Sequence, residues 1–184
     1  MSYDSRPDTY AHIQRVRDYI DRVVWNLLGR ASEHDMSKLS DPEVQVFDEF
    51  TPKLADMEYG SDEYRACSEA MGPALEHHYA HNRHHPEHYE DGVAGMSCLD
   101  IVEMICDWKA ASERMRPPAP GAPGRTDAPA YTDDFDRSLK LNQERFGYGD
   151  EVAGIIRNTA VELGFFVSKT TLTELIASNQ GSST

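Results

Sequence analysis

The chain has 184 residues, long enough to bury the core of one domain without disulfides or a structural metal, and its formal net charge is −14 with eight histidines taken as neutral. That balance excludes broad attraction to a nucleic-acid backbone or an anionic bilayer and disfavours polymeric nucleic acid as a partner; a small anion is still accessible to a pocket whose local charge is inverted by metal. Cys67, Cys98 and Cys106 form no CxxC pair, MSYDSRPDTY lacks the basic and apolar regions of a leader, and no apolar run reaches membrane length, so the expected setting is cytoplasmic.

From Thr9 to Leu28, Ile13, Val16, Ile20, Val23, Val24 and Leu27 recur at helical spacing, with Asp8 placed to cap the start and Gly29 to close the end. His12 falls at the edge of that apolar arc, which points it toward the interior. The segment Glu33–Lys38 separates this helix from a second, which opens at Ser40-Asp41-Pro42-Glu43 and runs through Val44, Phe47 and Phe50 until Pro52 disturbs it. SDEYRACSEAM after Gly60 predicts a third helix, broken at Gly72-Pro73 and resumed as ALEHHYAHNRHH until Pro86. EDGVAG reads as a turn, and Ser97 with Asp100 makes a capping-box-like start for CLDIVEMICDWKAASERM.

Residues 117–129 (PPAPGAPGRTDAP) read as a surface loop. Two closing helices are predicted near 133–146 and 150–166, then a weaker helical stretch over 171–178 and a flexible tail at 179–184. No repeat and no strand alternation stands out. The expectation is one all-α domain over 1–184, a bundle of about six to eight helices; apolar surfaces on its C-terminal helices would make a homodimer unsurprising.

Six of the eight histidines lie between residues 77 and 88. On a continuing helix His77, His81 and His84 span an arc of about 60°, and His78 and His85 share the neighbouring one. Downstream, Asp100, Glu103 and Asp107 form a carboxylate stripe at i, i+3 and i+7. Either feature alone fits a solvated face. Together, imidazole nitrogens and carboxylate oxygens are donors suited to a divalent metal, and helices from distant parts of a chain can aim them at one point. The doublet His34-Asp35 adds two more donors at a helix end, where adjacent side chains can converge on one centre.

The ordered set His12, EHDMSK at 33–38, HHYAHNRHHPEH at 77–88 and CDWKAA at 106–111 resembles the HD superfamily. HDMSK looks like the HDIGK of many HD hydrolases, and HHPEHYEDG is similar to elements of the HD-GYP branch, although GYP itself is absent. HHYAHNRHHPEHY with DIVEMICDW also resembles a small set of bacterial and phage proteins. The likeness covers roughly residues 10–111.

Carried over residue by residue, the resemblance implies an HD-like helical bundle in which His12, His34, Asp35 and Asp107 hold metal. His78 and His85 would be the further ligands of a dinuclear site, with His77, His81, His84 and His88 as rivals. It implies one or two divalent ions (Mn, Fe, Co, Ni, Zn or Mg) and hydrolysis of a nucleotide or other small phosphoester. Asp35 would take part in catalysis, Lys38 would contact phosphate, and Glu87 or Glu103 would act as general acid/base or orient a histidine. A di-iron oxygenase and a non-catalytic, metal-stabilised binding module are the alternatives.

Overall fold

The structure is a computed structural model, and it describes residues 3–55, 57, 59–114 and 134–166. The predicted Pro-rich loop at 117–129, the helical stretch over 171–178 and the tail lie outside the described residues.

Seven α-helices and no strand occur among the described residues: α1 (Arg6–Glu33), α2 (Val44–Ala55), α3 (Asp62–Glu69), α4 (Pro73–His81), α5 (Cys98–Arg114), α6 (Asp134–Phe146) and α7 (Asp150–Glu162). Short 3-10 turns at Met36–Leu39, Pro86–His88 and Gly92–Gly95 join some of them. The all-α expectation holds, and no described helix is long and apolar enough to cross a membrane.

The main core lies where α5, α6 and α7 meet. Met104, Ile105 and Trp108 of α5 pack with Phe135 and Leu139 of α6 and Ile156 and Ala160 of α7, all buried. Each set recurs at three or four residues, so one stripe per helix faces the others. Burying each large side chain contributes about 1.5–3 kcal/mol before the entropy of ordering it. Because α5 spends this stripe on the core, its Asp100–Glu103–Asp107 stripe turns toward α1 and the histidine segment. Asp100 is fully buried.

The helices depart from expectation at three places. Gly29 does not close α1: glycine costs a helix only about 1 kcal/mol. The next turn recovers this, because Arg30 reaches Asp100 at 2.8 Å and Glu103 at 3.0 Å on α5. Pro52 is accommodated inside α2. The third helix does break at Gly72, whose φ of +48° suits glycine, but the resumed α4 stops at His81 instead of running to Pro86. Asn82 takes over there, donating its side-chain amide to the His78 carbonyl at 2.8 Å and to Ser37 Oγ at 2.8 Å.

Candidate metal centre

The end of α1 builds the first wall. α1 finishes at Glu33, His34 is extended, and Asp35 takes a left-handed conformation at φ +59°, the one non-glycine residue with positive φ among those described. Aspartate tolerates this region better than most side chains. The two abrupt changes of direction let neighbouring side chains, 100° apart on a continuing helix, face a common space.

α4 and the loop after it build the second wall. His78, on the buried face of α4, and His84 and His85, beyond Asn82, enter from the side opposite Asp35. One donor atom from each of Asp35, His78, His84 and His85 lies within 4.8 Å of the others. A second group, His34, His84 and Asp107, meets the same criterion and shares His84 with the first. The Asp35 carboxylate faces both: Oδ1 lies 3.4 Å from His78 Nε2 and 3.5 Å from His84 Nε2, and Oδ2 lies 3.6 Å from His34 Nε2.

Three of the imidazoles are held by the other ring nitrogen. His78 Nδ1 lies 2.9 Å from Glu43 Oε2, His84 Nδ1 3.2 Å from Glu103 Oε1, and His34 Nδ1 3.0 Å from the same Glu103 oxygen. A neutral imidazole that donates from Nδ1 has its lone pair on Nε2, directed into the centre. Carboxylates behind the rings, fixing tautomer and orientation, are the usual surroundings of metal-bound histidine.

For His78 and His85 the electrostatics agree with the geometry. Burial, reinforced by His84 and His78, pushes His85 far below the usual histidine range, and burial with the nearby Lys38 ammonium lowers His78. Both are therefore neutral donors at physiological pH. His78 Nε2 and His85 Nε2 sit 2.9 Å apart, a distance at which two lone pairs need a proton or a cation between them. Two ligands about 2.1 Å from one ion and roughly 90° apart would be separated by about 3.0 Å. His34 is the exception: Asp107 and Glu103 raise its imidazolium to about 10, so it holds a proton in the metal-free chain that it would have to release to act as a donor.

Two buried polar atoms facing the centre, Asp35 Oδ1 and His84 Nε2, have no hydrogen-bond partner. Buried polar groups are almost always paired, so this pair of orphans at the meeting point of four donors fits a cation. The cluster could hold a metal ion.

Of the sequence-predicted site residues, the fold brings together His34, Asp35, His78, His85 and Asp107. Lys38 adjoins them with Nζ 2.6 Å from Asp35 Oδ2, and Glu103 stands behind His34 and His84. Glu87 belongs to neither donor group; it is paired with Arg145 at 2.6 Å and lines the neighbouring pocket. His12 is corrected: the expected inward-facing residue is exposed, and 22 positions along an unbroken helix put it about 33 Å from His34 within one chain. Among the rivals of His78 and His85, His77 stacks with the exposed His81 at 3.9 Å and bonds Glu43, outside both donor groups, and His88 donates to the Tyr79 carbonyl. Sequence reasoning ranked His84 only as a rival and missed Glu43, which lies in the first turn of the α2 region yet is fully buried.

A pocket of about 350 Å³ opens beside the cluster. Lys38, His78, His85 and Asp107 contribute to its lining, as do the aromatic rings of Tyr59, Tyr79 and Trp108 and the cationic Arg145. A concave, aromatic-walled space with a few polar groups is the usual form of a small-molecule site.

Fold and centre thus define an all-α protein with a histidine and carboxylate cluster that could hold a metal ion. The chain belongs to the family of unknown function DUF5662, whose model matches residues 1–177. No curated protein and no solved structure matches it.

Proposed function

We propose that this protein is a cytoplasmic, metal-dependent phosphohydrolase of HD-like architecture, acting on a nucleotide or another small phosphoester. The observation that carries the reading is the convergence of Asp35 with the Nε2 atoms of His78, His84 and His85, two of these imidazoles being braced from behind by Glu43 or Glu103. The two adjoining donor groups, with Asp35 facing both, suit one or two divalent ions. When bound, such ions supply Lewis acidity toward a phosphoryl oxygen and lower the pKa of water.

The chain's own residues account for the remaining tasks. Lys38 lines the pocket and pairs with Asp35, and in this reading its ammonium receives a phosphate oxygen once Asp35 turns to metal. Tyr59, Tyr79 and Trp108 offer flat apolar surface for a planar group such as a base. Glu103 holds His34 and His84 in orientation, which favours a positioning role over proton transfer.

Phosphate release from a panel of nucleotides and simple phosphoesters, with manganese, cobalt, nickel, iron, zinc or magnesium supplied, tests the proposal. Metal-dependent release supports it. Iron binding with oxygen consumption and no release would replace it with the oxygenase, and metal binding without any turnover would leave a binding module.

A further inference from the structure

A large apolar surface lies far from this centre. α1 extends over 28 residues, about 42 Å, and its end meets α5 through Arg30 and, just past the last turn, His34. Arg30 meets Asp100 and Glu103, and His34 meets Glu103 and Asp107, so the two helices run in the same direction. The N-terminal part of α1 therefore projects past the start of α5. Every residue from 5 to 26 is exposed.

That projecting arm carries Ile13, Val16, Ile20 and Val23, spaced three, four and three residues apart. This is the alternation of a coiled-coil seam, and Leu27 continues it toward Arg30, which pairs with α5. The four seam residues, with Tyr19 and Val24 beside them, leave 40–56% of their surface exposed. At roughly 150 Å² or more per large side chain, the open apolar area is on the order of 500 Å² per chain, at the upper limit for a monomer's largest patch. Two copies together reach about 1,000 Å², the lower bound of a stable interface.

We infer that the occupant of this face is a second copy of the chain, with two α1 arms pairing antiparallel along Ile13, Val16, Ile20 and Val23. Charge selects this arrangement. α1 has five arginines and four carboxylates, a net of +1 in a chain of net −14, so two copies meet along it with little of the repulsion their acidic bodies set up. Beside the seam, His12, Tyr19, Asn26, Tyr10, Val24 and Arg17 include a single full charge. A parallel pair would set two strongly acidic bodies side by side, and it would bring the partner against the turn whose Arg30 is already committed to Asp100 and Glu103 of α5. The antiparallel pair keeps the bodies at opposite ends.

Sedimentation velocity and small-angle scattering on the full, untagged chain, with and without Ile20→Glu, test the inference. The wild type is expected to sediment as a dimer with an elongated, two-lobed profile, and Ile20→Glu to halve the mass. Asp18→Lys, on the opposite face of the arm, should remain dimeric. Residues 5–26 are exposed in one copy, so the glutamate leaves the body folded, which an unchanged metal content and α-helical spectrum would verify; Val16→Glu provides an independent second variant. A monomeric wild type at micromolar concentration, including one whose arm is covered by residues 167–184 of the same chain, overturns the inference. So does an Ile20→Glu protein that stays dimeric, and a compact dimer would overturn the antiparallel arrangement.

Discussion

Glu43→Gln probes the proposed centre from behind, without touching a donor atom. Glu43 is fully buried; one carboxylate oxygen meets His77 Nδ1 at 2.7 Å, and the other meets His78 Nδ1 at 2.9 Å and the Ser37 hydroxyl at 3.0 Å. Burial alone would raise this carboxyl, but those three partners outweigh it and hold it below the usual range, so Glu43 is an anion accepting from both sides. Glutamine keeps the shape but has one accepting atom, and its amide nitrogen must face a group that also donates. His78 then loses either its charge-assisted bond, a matter of about 1.5–3 kcal/mol, or its preference for presenting the Nε2 lone pair to the centre. Loss of an outer carboxylate of this kind weakens metal binding by about 10- to 100-fold. Competition titration of manganese or zinc against a chelating indicator measures it, with the helical spectrum of metal-free protein as the check on folding. His77→Gln touches the same carboxylate but lies outside both donor groups, and should shift affinity by a few-fold at most. Wild-type affinity in a folded Glu43→Gln protein would refute the assignment of His78 as a donor.

Two further outcomes follow from the same geometry. Lys38→Ala, in protein that retains its metal, is expected to lower kcat/KM for phosphoester hydrolysis by about 10- to 100-fold, the loss of one charge-assisted contact to phosphate; an unchanged value would remove Lys38 from the site. Asp100→Asn severs the knot that joins α1 to α5, where the buried carboxylate meets Arg30 at 2.8 Å, Arg83 at 3.2 Å and its own Ser97 cap at 2.6 Å. Breaking a fully buried pair costs about 3–5 kcal/mol; with Arg83 half exposed, about 2–3 kcal/mol is expected, a fall in Tm of roughly 5–10 °C. Burial raises the Asp100 carboxyl, but Ser97, Arg83 and Tyr89 outweigh it and hold it well below the carboxylate range. Its contribution is therefore complete above about pH 4 and fades as pH falls through the lower folded value. Thermal melts between neutral and acid pH should show the variant losing less stability than the wild type below pH 4; parallel curves would contradict this.

Helical periodicity made most of the fold legible, because the apolar stripes of α5, α6 and α7 are the stripes that meet in the core. The donors that share a short segment were legible as well: His34 and Asp35 are adjacent, and the histidine density of residues 77–88 marks one wall without structural knowledge. Tertiary partners hid the rest. Nothing local to Gly29 reveals that Arg30 will find Asp100 and Glu103, so the unbroken course of α1, which carries His12 away from the cluster, could not be read. Helical-wheel reasoning over His77–His85 assumed a continuing helix, whereas Asn82 ends it by bonding Ser37, 45 residues earlier. This break is what lets His84 join the donors. Glu43 resembled an ordinary first-turn carboxylate, since its burial depends on His77 and His78 arriving from α4.

Metal content of untagged wild-type protein beside Asp35→Ala, by inductively coupled plasma mass spectrometry after exhaustive dialysis, tests the central claim most directly. Asp35 faces both donor groups and carries an unpartnered buried oxygen, so the wild type should retain one or two equivalents of a divalent metal and the variant, still helical, should retain almost none. A metal-free wild type that takes up no added ion, or an Asp35→Ala protein as fully loaded as the wild type, would contradict the account.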